Sequence, residues 1–270
     1  MIRIPLLLSA GLSAGLLIVP AGLPNEPPSL ENALSRVRHN VEIFENQLPD
    51  FVCTETITSR TIADEKVEKE TIIQSTFSGR QKRSALSKLT STSFTEERRI
   101  ETVNGAPWKE KSMPKGVFRV GGAYSSTLVS IFGPKGEANY SFSSVNSLVN
   151  PEGAVVISFA TKNDRQKIKS NKGNRSFQET GRAWFDPVSF EILRLERQIV
   201  ADGAEPGDEV PITIEYQPVR IADDTFRLPA RVSATAHRVV SGKAERGEYE
   251  ARYTDYRKYG STSTIRYREK

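Results

Sequence analysis

Two histidines, His39 and His237, and one cysteine, Cys53, are all the chain has of the side chains that most often serve as base, thiol nucleophile or zinc ligand. A Ser-His-acid site needs a hydroxyl, an imidazole and a carboxylate within hydrogen-bond reach. No Gly-x-Ser-x-Gly elbow is present to expose such a serine. His237 falls on the polar face of an alternating run and His39 on the polar face of a helical one, where both read as surface histidines. Cys53 shares its parity with Phe51 and Ile57. A thiol on an apolar strand face behaves as a small hydrophobe, so Cys53 is expected buried and unreactive. One cysteine excludes an intramolecular disulfide, and the His and Cys counts exclude the usual zinc sites. The carboxylate clusters Glu65-Glu68-Glu70 and Asp202-Glu205-Asp208-Glu209 sit in turn-like stretches, where charge is solvated. A glycosidase-type pair would have to converge in three dimensions. No phosphate loop, dinucleotide fingerprint or EF-hand spacing occurs, so neither cofactor nor metal is implied. The expectation is a protein that is not an enzyme.

Positive charge is unevenly placed. The 270 residues carry 38 Lys+Arg against 33 Asp+Glu, a net charge of +5. The stretch Lys162–Arg182 alone holds seven basic residues and two acidic ones. A single-stranded nucleic acid would want aromatics interleaved as stacking platforms, and this stretch has only Phe177. No nucleic-acid partner is expected. Asn163-Asp164 and Ser170–Asn174 supply turn residues, so the stretch reads as an exposed connection between strands. Contact with an anionic membrane surface is the sharper alternative.

The elements that must position any site follow from periodicity. Residues 1–21 have one charge, Arg3, then an apolar run from Ile4 to Val19, and end in Ala21. That pattern reads as a cleaved secretory signal peptide, since the run is shorter than the roughly 20 residues needed to span a bilayer. A periplasmic or secreted chain is expected. Residues 22–28, with Pro24, Pro27 and Pro28, form a linker, and 29–270 are expected as one domain. Ser29 caps a helix whose stripe is Leu30, Leu34, Val37, Val41, Phe44 and Leu48, at spacings of 3 and 4, and Pro49 ends it. From Phe51 the period becomes two. The runs Val210–Tyr216, Phe226–Ala236 and Tyr249–Tyr253 alternate apolar and polar residues. Asn104-Gly105, Asp186-Pro187, Ala222-Asp223-Asp224 and Ser241-Gly242-Lys243 punctuate them, so neighbouring strands are antiparallel. Only Ser125–Phe132 looks like a second helix. At 37% hydrophobic and 26% charged the chain is globular.

Four stretches together resemble a group of uncharacterised bacterial exported proteins: 48–60 (LPDFVCTETITSR), 181–196 (GRAWFDPVSFEILRLE), 216–232 (YQPVRIADDTFRLPARV) and 253–259 (YTDYRKY). The middle two are similar to the core of the outer-membrane lipoprotein-carrier (LolA/LolB-like) superfamily. The resemblance implies a mainly β fold: an unclosed, curved antiparallel sheet, or half-barrel, partly covered by short helices. It also implies acyl chains held between sheet and helices.

One-sided alternation independently requires a cover, and the helices at 29–48 and 125–132 are the candidates. A gap beneath them would suit an apolar ligand. The expected lining is Leu128, Ile131 and Phe132 from the short helix. From the sheet come Val210, Ile212, Ile214 and Tyr216, with Ala230, Val232 and Ala234 opposite. The leading function is a non-enzymatic exported protein binding or sensing a lipid-like ligand in the cell envelope. A structural or interaction module with a filled core, and a hydrolase with converging carboxylates, are the rivals.

Overall fold

Ser29 starts the first element as its side chain predicts: its Oγ accepts the Asn32 N–H at 3.3 Å, and helix α1 (Leu30–Gln47) follows. Ala33, Leu34, Val37 and Val41 are buried, so the apolar stripe is the packed face. The Leu48 N–H closes the last turn on the Phe44 carbonyl, and Pro49 prevents continuation. The chain is described by a computed structural model over residues 28–82, 93–118, 120, 125–134, 136–145, 153–162, 166–170, 173–201, 209–240 and 243–260. The expected signal segment lies outside these residues.

The strands are β1 (Phe51–Ala63), β2 (Lys66–Lys82), β3 (Ser93–Val103), β4 (Ala106–Pro107), β5 (Tyr140–Val145), β6 (Val155–Thr161), β7 (Gln166–Ser170), β8 (Gly173–Phe185), β9 (Ile192–Ala201), β10 (Val210–Ile221), β11 (Asp224–Val240) and β12 (Lys243–Lys258). All pairings are antiparallel, in the order β4-β3-β2-β1-β12-β11-β10-β9-β8-β6-β5, with β7 also on β8. Two-residue turns do much of the ordering. Asp64 and Glu65 (φ +50° and +59°) join β1 to β2, and Asn104 and Gly105 (φ +50° and +79°) join β3 to β4. Both φ values positive is the geometry that matches strand twist.

Helix α2 (Ser125–Phe132) has the expected bounds, and a one-turn helix α3 (Gly136–Asn139) follows it. One apolar cluster joins α1, α2 and residues of β1, β2, β5, β6 and β8 to β12. Laid flat, nine such strands would span roughly 40 Å at ~4.8 Å each. Two helices side by side cover only about 20 Å. The sheet therefore curls around them without closing, which is the half-barrel that the resemblance implies. Cys53 is buried, whereas His39 and His237 are exposed. No helix among the described residues is long and apolar enough to cross a membrane.

Two expectations are corrected. Lys162–Arg182 is not a simple connection, because β7 and the first half of β8 pair as a hairpin with Ser170 opposite Gly173. Beyond the end of β6 the backbone of β8 still needs a ladder partner, and β7 supplies it by reversing between Ser170 and Gly173, inside the expected turn stretch 170–174. The alternation expected for Phe226–Ala236 is also interrupted, with Pro229 buried and Ala230 only half-buried. A bulge sets Glu215 opposite Arg231 but Tyr216 opposite Pro229, leaving Ala230 as the extra residue. Pro229 lies at the irregularity, where a missing N–H is tolerated, and its carbonyl accepts the Tyr256 hydroxyl at 2.6 Å.

Candidate functional site

The link between β8 and β9 builds one wall of a cleft. Asp186 Oδ1 accepts the N–H groups of Val188 (2.9 Å) and Ser189 (2.8 Å), so the chain turns back at once. Those two bonds, Ser189 first, hold the Asp186 carboxyl below its usual pKa. The turn leaves Phe190 buried at φ +59°. Helix α1 is clamped to it: Arg36 donates to the Val188 carbonyl (2.6 Å) and Asn40 to that of Ser189 (2.7 Å). The Arg36 guanidinium lies 4.1 Å above the Phe190 ring.

Between this turn, α1 and the β10–β11 hairpin lies a cleft of about 180 Å³. Val37, Val41, Ile43 and Phe44 of α1, Leu128 of α2, and Phe185, Phe190, Ile192 and Phe226 give it apolar walls. Asn40, Gln47, Glu191, Asp224, Thr225 and Arg227 supply polar groups at its edge. Arg227 Nε is 3.5 Å from Glu191 Oε2.

Of the ten residues expected to line a ligand site, Leu128 faces this cleft. Ile131, Phe132, Ile212, Ile214, Tyr216, Val232 and Ala234 are buried in the core. Ile212 pairs with Ala234 and Ile214 with Val232, so the two runs do share a face. Phe132 meets Phe159 and Phe185 edge-on, with ring centroids 6.1 and 5.3 Å apart. Val210 and Ala230 are half-buried. The residues at 185–192 were missed as site residues. Their signal is Phe190, a large apolar side chain just after the Asp186-Pro187 turn pair.

Two polar clusters lie inside the curl. Glu55, on the same parity as Cys53 and Ile57, has 0% exposure. It accepts from Arg98 in a bidentate pair and from Ser75 Oγ at 2.7 Å. Burial lowers the Arg98 pKa, but the Glu55 hydrogen bond and charge outweigh it and leave the guanidinium above its ordinary value. Glu179 accepts from Arg197 Nε (2.6 Å) and from the Tyr140 hydroxyl (2.9 Å), and Arg197 reaches on to Thr127 Oγ1 of α2 (2.8 Å). Burial first, then the Glu179 charge, pushes Tyr140 up to about 12. The Tyr216 hydroxyl is buried with no hydrogen-bond partner among the described residues, and burial raises its pKa.

The two buried carboxylates belong to β1 and β8, five places apart along the sheet. Each is neutralised by its own arginine, an arrangement that fixes strands and α2 rather than positioning an acid beside a base. Among the described residues no group of three or more His, Cys, Asp or Glu side chains could hold a metal ion.

No protein-family model and no curated protein matches the chain. Among solved structures it is similar to a LolA superfamily protein from Nitrosomonas europaea, at 10% identity over 84% of this chain and 94% of that one, with a TM-score of 0.38. It is also similar to a chain of the Pseudomonas aeruginosa MucA/MucB complex, at 9% identity over 82% of this chain and 94% of that one, with a TM-score of 0.20.

Proposed function

We propose that the chain is an exported, non-enzymatic binding module of the bacterial cell envelope that holds one apolar group beneath α1. The observation that carries this reading is the cleft with aromatic and aliphatic walls and a polar edge. Its 180 Å³ is close to the ~150 Å³ of an engineered apolar cavity that takes benzene. It suits one alkyl end or one ring, of about six carbons. At ~0.8 kcal/mol per methylene, six supply ~5 kcal/mol, a dissociation constant of about 0.2 mM before ordering costs. Tighter binding requires a polar head placed at Arg227 or Asn40.

Titration with a fluorescent fatty acid tests this. Saturable binding is expected, and Thr225→Trp, at an exposed position on the cleft edge, should weaken it while circular dichroism stays unchanged. Absence of binding to the delipidated protein sinks the reading. An interaction module with a filled core is then left ahead, and the buried packing of Ile212, Ile214, Val232 and Ala234 favours it.

A further inference from the structure

We propose that the outer face of the sheet beside β3 is a docking groove for an extended acidic segment of a partner polypeptide, which adds as a strand to the β3 edge. The groove, about 1150 Å³, is on the face opposite α1 and shares no residue with the apolar cleft. Its floor includes Val52, Thr76 and Ser78, and these alternate with the inward Phe51, Cys53, Ser75 and Phe77. The segment 108–111 forms one wall and the end of β12 another.

Charge selects the partner. Two cations of the groove are already paired, Arg99 with Glu101 at 2.9 Å and Arg80 with Glu97 at 3.9 Å, and the Arg98 side chain turns to the inner face to meet Glu55. Lys109, Lys111, Arg257 and Lys258 are exposed and have no acidic partner among the described residues. Glu110 is the one acid of the lining without a basic partner. Four uncompensated cations converging on one concavity attract an anionic ligand. The undescribed segments that adjoin the strands of the groove do not supply one, and the acidic residues 202–208 follow β9, four places from β1 in the sheet order. Residues 83–92 carry Arg83 and Lys88 and no acid, and residues 261–270 carry Arg266, Arg268 and Lys270 against Glu269.

The edge selects a polypeptide. Among the described residues β3 is paired on its outer side only at its end: the Glu101 carbonyl accepts the Trp108 N–H, and Thr102 and Val103 face β4. From Ser93 to Ile100 no described residue pairs with its outer backbone groups, which are there for a strand to pair with. Neither a flat lipid surface nor a polysaccharide reproduces that ladder.

The test uses the full chain and a fluorescein-labelled peptide alternating Glu with Val, about eight to ten residues long to match the edge at ~3.4 Å per residue. Anisotropy should show saturable binding that weakens as salt rises. Lys109→Glu combined with Lys111→Glu should weaken it about tenfold at low salt, with circular dichroism unchanged. The same peptide N-methylated at alternate amides should not bind. The proposal is overturned if the peptide does not bind, if the charge reversals leave its affinity unchanged, or if the methylated peptide binds equally well. It is also overturned if phosphatidylglycerol vesicles bind at this face in the peptide's place. Fatty-acid binding at the cleft is read separately, so either site can fail alone.

Discussion

Glu55 occupies a position that strand parity assigns to the core, between Cys53 and Ile57, and it is the position at which the chain departs most from an apolar pattern. A carboxylate there is tolerable only because Arg98 crosses from β3 over the Phe77 ring, 5.5 Å from its centroid, to meet it. Removing one partner leaves the other charged without compensation. Glu55→Gln should cost about 3 kcal/mol in urea denaturation, at the low end for a buried pair, because 23% of the Arg98 side chain reaches solvent. Replacing both, Glu55→Met with Arg98→Leu, should recover most of that loss. A single variant within about 0.5 kcal/mol of wild type, the range of ordinary surface changes, contradicts the account. Glycine at 181 has an equally local cause: a Cβ there would come within 2.2 Å of the Glu196 carbonyl and 2.4 Å of the Phe159 ring.

At the scale of elements, the turn after β8 acts as the strap for α1, and its Asp186 makes that strap sensitive to acid. Hydrogen bonds from Ser189 and Val188 depress the folded pKa of Asp186. Its contribution is therefore complete above the unfolded value of about 3.9 and is lost as pH falls through the folded value. Glu101 and Glu250 are depressed as well, Glu101 by Thr76 and Arg99 and Glu250, against its burial, by Arg231 and Arg252, so the whole protein should lose stability in acid. The informative quantity is the difference between wild type and Asp186→Asn. It should be largest near neutral pH and shrink as pH falls below about 4. A difference that does not change with pH removes Asp186 from the strap. The elements themselves were legible to different degrees. Helix α1, α2 and the hairpin turns at 104–105 and 222–223 depend on neighbours within a few residues, and side-chain type and spacing reveal them. The contact of Arg36 with Phe190 joins residues far apart in sequence, and the bulge at Ala230 is a matter of register between two strands rather than of residue type. The cleft lies at the turn end of the β10–β11 hairpin, away from Ile212, Ile214, Val232 and Ala234. Strand parity identifies a face, but not the position along it at which a helix stops covering it.

At the scale of the molecule, the sheet order places β12 between β1 and β11, so the first and last strands are neighbours. Strands β1 to β4 form one meander, β8 to β12 another, and only the β1·β12 ladder joins them in the sheet. That ladder closes a loop of nearly the whole chain, and the entropy of closing it opposes pairing until the core beneath can form. Because one apolar cluster runs under both meanders, neither half buries its own inner face alone. The chain from 29 onward should therefore unfold as a single cooperative unit. Its two tryptophans allow a direct test: Trp108 adjoins β3 on one side, and Trp184 lies in β8 on the other. Trp108→Phe leaves a reporter of the β8 side, and Trp184→Phe leaves one of the β3 side. Both should give the same urea midpoint, coincident with far-UV circular dichroism. A chain ending at Val240, which lacks β12, should lose the signal at both positions. Two separate midpoints would mean that the meanders are independent units and that the shared core contributes little. The curl of the sheet around α1 would then need another cause.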